Sequence, residues 1–263
     1  MSILRAIWFR IYNDYFLPSK VADYEEILVS AKNACYTFET FSSFDELINT
    51  GTVYDAKRMI IRRDVDTKAV CVMKKLIDAE IKHSARSTCF FRNKTIMRTL
   101  IPQIVAGGGM ASYHYEELAT YAEAKRLRQK EAVSNALPEI RALFERNIMR
   151  FRSMTGMPCT VVAAHGDFIN VKLGVSNTVI LEDIELRNRL GIQREAYDAA
   201  QMQYVTCRIA DHATDKFKEE TLQAIERNEP VIYLLTHPRQ WGAAPWANTK
   251  ENVSRLIRGI KYR

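Results

Sequence analysis

Apolar runs too short for helices and too continuous for one-sided strands recur along this chain, and most of them end on a histidine or an aspartate. Residues 59–62 lead to Asp64 and Asp66, 110–113 to His114, and 161–164 to His165. Residues 205–210 lead to Asp211 and His212, and 231–236 to His237. Strands covered on both faces read as unbroken apolar runs, which is the pattern of a parallel sheet. Between the runs the spacing turns helical: Ala69, Val70, Met73, Leu76, Ile77 and Ile81 make one apolar face. Parallel α/β folds gather their chemistry at the carboxyl ends of the strands, where the connecting loops converge. Asp and His arriving there repeatedly are the donors that a metal-dependent hydrolase needs. His83 is the exception, since it ends a helix ahead of a strand and is expected on the opposite face.

Residues 88–91 add a short strand, and 178–181 a weaker candidate for the fifth. Helices are expected around 96–105, over 116–152 with a break at Pro138, over 216–227 and near 250–260. The run Gly107-Gly108-Gly109 ends the first of these and admits the next strand. About seven strands with intervening helices suggest a closed or nearly closed β/α barrel, with an open doubly wound sheet as the alternative. Residues 1–58 do not fit the repeat. They are expected as helices packed on the barrel, with a further short strand within 24–41.

A chain of 263 residues can be one barrel or two small domains. It has no apolar run approaching the roughly 20 residues that span a bilayer. Residues 1–9 carry Arg5, Trp8 and Phe9 without an apolar core or cleavage site, so no secretory signal is expected. Cys35, Cys71, Cys89, Cys159 and Cys207 are odd in number and scattered, which favours reduced, buried thiols in a cytoplasmic protein. None of them lie close enough for a cysteine zinc site. The net charge of +7 fits nucleic acid, an anionic membrane surface or an anionic small substrate. Much of it falls in 125–152, where interleaved glutamates point to a solvated helix face. No zinc finger, aromatic RNP pair or helix-turn-helix pattern supports nucleic acid.

In Asp64-Val65-Asp66, alternation along an extended chain puts both carboxylates on one side. That arrangement can supply a metal ligand and a general base together, though an aspartate capping the following helix fits equally well. His114 sits between a strand and a helix, and His165-Gly166-Asp167 leaves a strand too apolar to expose itself. His237-Pro238 ends the last strand, with Trp241 following as an apolar wall. A hydrogen-bonded core histidine is the other reading of each.

Five segments taken in order carry a resemblance. They are Ile60-Ile61-Arg62-Arg63-Asp64-Val65-Asp66, Ser87-Thr88-Cys89-Phe90-Phe91-Arg92, Tyr113-His114-Tyr115-Glu116, His165-Gly166-Asp167 and Leu235-Thr236-His237-Pro238. Over residues 20–245 the chain resembles the polysaccharide deacetylase superfamily (NodB homology, carbohydrate esterase family four). Within it, the likeness is to a cytoplasmic branch associated with surface-polysaccharide (O-antigen, lipopolysaccharide) biosynthesis. The resemblance implies an α/β fold, a deformed seven-stranded (β/α) barrel, as one domain over 1–263 with 1–58 an N-terminal helical extension. It implies Asp64 as general base, Asp66 and His114 as ligands of one divalent metal, zinc being the expected ion, and His237 as general acid. Asp211 resembles the residue that orients that acid. His165 lies where the superfamily has an arginine-containing motif and is taken as the replacement third ligand. Arg92, Arg63 and Trp241 are the expected substrate contacts.

Three departures from the family pattern stand out. The usual second histidine of H-x-x-x-H falls on Leu118, Arg63 replaces a histidine, and the two aspartates are separated by one residue, which leaves their roles exchangeable. The leading expectation is a metal-dependent amidohydrolase removing an N-acyl group, acetyl above all, from a nucleotide- or lipid-linked sugar. A catalytically degenerate barrel that binds carbohydrate or a partner is the alternative. A barrel hydrolase of phosphate or glycosidic bonds is a third. No oligomeric state follows from the sequence.

Overall fold

The structure, a computed structural model, describes residues 8, 11–12, 14–212 and 216–262. Its strands are β1 (Thr37–Glu39), β2 (Arg58–Val65), β3 (Thr88–Phe91), β4 (Met110–Tyr115), β5 (Val161–Ala164), β6 (Arg194–Glu195), β7 (Cys207–Ala210) and β8 (Val231–Thr236). Seven run in the order β6-β5-β4-β3-β2-β8-β7, and β1 pairs beside the start of β2. Every pairing is parallel. Among the described residues nothing joins β6 to β7, so the sheet is a deformed, incompletely closed barrel of seven strands with helices around it.

Side-chain parity along the strands separates barrel interior from helix-facing exterior. On β2, Met59 and Ile61 pack outward with Ile27, Leu28, Val72 and Leu76 of the flanking helices. Ile60 points inward and meets Phe90, Val161 and Tyr233. Helix Phe41–Thr50 closes the N-terminal end of the barrel: the Phe41 ring lies edge-on to Phe90 at 5.5 Å and to Tyr233 at 6.1 Å. Burying each such ring contributes about 1.5–3 kcal/mol, which makes the lower barrel a rigid base for its upper rim.

The expected short strand within 24–41 is β1, beside helices Val21–Asn33 and Phe41–Thr50. The fifth strand was misplaced. Asn177–Glu182 is a 3-10 turn, and the strand in that position of the barrel is the two-residue β6. The expected helix over 116–152 is three helices, Glu117–Lys125, Lys130–Asn135 and Leu137–Thr155. Pro138 sits in the first turn of the third, where its missing N–H costs nothing. His83 ends helix Val70–His83 beside Glu25, 3.8 Å away. The cysteines are unpaired, but Cys35 and Cys71 are exposed rather than buried. Apart from Trp8, the reading of residues 1–9 lies outside the described residues. No helix among the described residues is long and apolar enough to cross a membrane.

Candidate active site

The inward parity of each strand, continued past its C-terminal end, delivers the polar residues. Arg62 and Asp64 follow Ile60 on β2, His114 follows Ser112 on β4, His165 follows Val161 and Ala163, and His237 follows Tyr233 and Leu235. Asp64, Asp66, His114, His165 and His237 meet in a cleft of about 360 Å³ that Arg92, Tyr197, His212, Glu251 and Arg255 also line, with Arg62 buried behind Asp64.

Asp66, His114 and His165 bring one ligand atom each to within 4.8 Å of one another. Asp66 Oδ1 lies 3.5 Å from His114 Nε2 and 3.4 Å from His165 Nε2. His114 Nδ1–H donates to the Ala163 carbonyl at 2.9 Å, which fixes the tautomer and leaves Nε2 bare toward the cleft. Burial and the neighbouring Arg92 charge pull the His165 imidazole down to about 4, so it is neutral near pH 7. Desolvation works against ionised Asp66, but in acid, where imidazolium charge faces it from His165 above all, the carboxyl is held well below its usual range. Asp66 Oδ1 and His165 Nδ1 are buried without a hydrogen-bond partner among the described residues.

A carboxylate oxygen without a donor, facing two bare imidazole nitrogens, suits a divalent cation. Two other trios come as close together, Asp211–His212–His237 and Glu116–His165–Asp167. Their carboxylates are already engaged, Asp211 by His237, Glu116 by Arg92 and Asp167 by Arg258.

Asp64 sits 3.5 Å from His114 Nε2, with Arg62 donating to both of its oxygens at 2.7 Å. Burial raises the Asp64 carboxyl, and the Arg62 guanidinium more than reverses this, leaving it below the usual range. Across the cleft His237 Nδ1 contacts Asp211 Oδ1 at 2.7 Å. Asp211 Oδ2 accepts from the His237 backbone N–H at 2.6 Å and from Trp241 Nε1–H at 3.1 Å. Burial disfavours the His237 imidazolium. The hydrogen bond and charge of Asp211, helped by Asp66 and Asp64, prevail and raise the group to about 9.

Of the three expected substrate contacts, Arg92 lines the cleft and Arg63 and Trp241 do not. Arg63 has outward parity, lies away from the cleft and is fully buried. It pairs with Glu80 at 2.8 Å and donates to Tyr24 Oη at 2.9 Å. The cation beside Asp64 is therefore Arg62. Trp241 is not a wall of the cleft: it packs between Tyr24 and Phe217 and holds Asp211. Arg92 does line the cleft, but its guanidinium is paired with Glu116 and Glu251. Leu118 is buried in the apolar core, away from the ligand trio. Sequence reasoning missed Arg62, although alternation from Asp64 pointed to it. It also missed Glu116 and Tyr197, for which no spacing signal exists.

No protein-family model matches the chain, and no curated protein does. Solved structures that match include a CE4 family pseudoenzyme from Bacillus anthracis at 14% identity and TM-score 0.43, over 79% of this chain and 62% of that one. A CE4 esterase from Streptococcus mutans matches at 12% identity and TM-score 0.43, over 86% and 88%. A family 4 carbohydrate esterase from Streptomyces lividans, in complex with acetate, matches at 12% and 0.38, over 75% and 88%. The chain thus spans less than two thirds of the Bacillus protein. At these identities the likeness concerns general fold and says nothing of chemistry.

Proposed function

We propose that this chain, as one domain over 1–263, is a metal-dependent deacetylase that removes an N-acyl group from a sugar intermediate of surface-polysaccharide assembly. The observation that carries the reading is the meeting, in one cleft, of the Asp66–His114–His165 trio with Asp64 on one side and the Asp211–His237 pair on the other. The order of the sequence motifs supports it.

Asp66, His114 and His165 would hold the divalent ion, zinc being the expected one, and when bound it supplies Lewis acidity at an acyl carbonyl. Asp64, oriented by two hydrogen bonds from Arg62, accepts a proton from the attacking water. As the C–N bond of the tetrahedral intermediate breaks, His237 donates its proton to the departing amine nitrogen. Asp211 keeps that imidazole protonated and correctly turned. Arg255, exposed at the mouth, is the cation available for a phosphate-linked sugar, nucleotide or lipid, in place of Arg92.

Elemental analysis of wild type and His114→Ala, followed by acetate release from N-acetyl sugars with zinc or cobalt, tests the proposal. About one ion per chain, lost in the variant, with acetate produced, is the expected result. Absence of metal from zinc-incubated wild type, or no acyl release from any N-acyl sugar, would overturn it. The double hold of Arg62 on Asp64, which weakens it as a base, favours a second reading, a degenerate carbohydrate-binding barrel. Turnover abolished by both Asp64→Ala and His237→Ala would exclude that.

A further inference from the structure

Helix Pro245–Lys261 packs on the barrel inside out. Surface helices ordinarily turn an apolar stripe inward, yet Asn248 is the one buried residue of this helix. Its inward side is polar: Glu251 pairs with Arg92 and Lys94, Arg258 with Glu123 and Asp167, and Asn252 donates to Asp14. Its apolar residues face out, Trp246 at 90% exposure and Leu256 at 65%, with Val253, Ile257 and Ile260 beside them. At roughly 100° per residue these five fall within an arc of about 100°. Lys250 and Lys261 border that arc. Exposed Val171 and neighbouring Lys172, on helix Phe168–Leu173, and the Tyr15 and Phe16 rings add to the same surface.

We propose that this face docks on an anionic lipid surface. The charge around it is one-sided. Lys250, Lys261, Lys172 and Arg255 make no ion pair among the described residues, while the nearby acids are paired, Asp14 with Arg239, Glu251 with Arg92 and Lys94, and Glu123 and Asp167 with the one Arg258 they share. An exposed tryptophan, an aliphatic stripe and flanking lysines form the composition of a helix that lies in a membrane interface. A second copy is a poor occupant, because a two-fold contact through this face would set lysines against lysines. An apolar groove of about 670 Å³ between Tyr15 and the Leu256–Ile260 edge offers space for lipid chain.

The same helix lines the cleft with Glu251, Arg255 and Arg258 on its inward side, so docking would set the cleft about one helix diameter, roughly 10 Å, behind the headgroup layer. Delivery of a lipid-phosphate-linked sugar to the cleft rests on the deacetylase reading, and the docking itself does not.

The test is co-sedimentation of the whole chain with sucrose-loaded vesicles of phosphatidylglycerol and phosphatidylcholine, against phosphatidylcholine alone. The chain is expected to pellet with the anionic vesicles only, and less as salt rises. Lys250→Glu and Lys261→Glu should each weaken binding by about fivefold or more. Leu256→Asp with Ile260→Asp should abolish it with an unchanged melting temperature and metal content. Lys74→Glu, on a helix elsewhere, should change little. No pelleting at low salt overturns the proposal, as does binding retained by the double aspartate variant or lost equally in Lys74→Glu. A dimer in sedimentation velocity that the aspartate variant dissociates also overturns it, assigning the face to a second copy. A failed acetate assay leaves the vesicle result standing, so the two readings fall separately.

Discussion

Asp211 accepts three hydrogen bonds, two from His237 and one from Trp241, and through them it decides when His237 is charged. A general acid must carry its proton, and the proposed one keeps it from neutral pH up to about 9. Activity is therefore expected to fall as pH rises through about 9. Asp211→Asn removes the negative charge, so the alkaline limb of the kcat–pH profile should move to lower pH; an unmoved limb would count against His237 as the acid. Arg63 sits next to catalytic candidates in sequence but serves stability. Arg63→Met leaves Glu80 buried and unpaired, and unfolding in urea should show a loss of about 3–5 kcal/mol. The folded fraction of that variant should bind metal as the wild type does, since Arg63 touches none of the three proposed ligands; metal loss without unfolding would return it to the site.

The proposed third ligand arrives on a neighbouring strand. His114 lies one residue before the end of β4 and His165 follows β5, and the His165 N–H continues the pairing by donating to the Tyr115 carbonyl at 2.8 Å. On the proposed reading His165 takes the place of a ligand one helical turn after His114, where Leu118 instead enters the core. The run at 178–181 misleads because a short apolar stretch looks the same in a strand or a packed turn. Here Asn177 ties the segment down by accepting from the Leu118 N–H at 3.0 Å and donating to the His165 carbonyl at 2.6 Å. β6, an Arg-Glu pair, has no apolar signature at all. The entry to β4 is tight: a Cβ at Gly109 would meet Ile104 and the Ser87 carbonyl oxygen, each at 3.0 Å. Gly109→Ala should cost about 1–3 kcal/mol in thermal or urea unfolding, and an unchanged midpoint would show that the strand entry yields.

At the scale of the whole molecule, binding of a cation that only the folded cleft can hold is coupled to folding. With zinc at about a hundred times its Kd, the melting temperature should rise by roughly 5–10 °C, and chelator should remove the gain. His165→Ala should abolish that shift; a shift of the same size in the variant would place the ion elsewhere. Much of this architecture was legible in the chain itself. Continuous apolar runs specified parallel strands, helical spacing specified their covers, and Asp or His after most of the runs marked the edge where the polar residues gather, because periodicity is a local property that burial imposes directly on sequence. Parity along β2 even separates Asp64 and Arg62 from Arg63. The tertiary structure alone decided what depends on distant segments: that Arg62 holds Asp64, that Trp241 braces Asp211 instead of lining the cleft, and that Glu116 and Glu251 occupy Arg92. It alone decided as well that the closing helix turns its polar side inward, since the ion partners on that side lie up to 159 residues away along the chain. Charge pairing across such separations leaves no period in a sequence, and only folding brings the partners together.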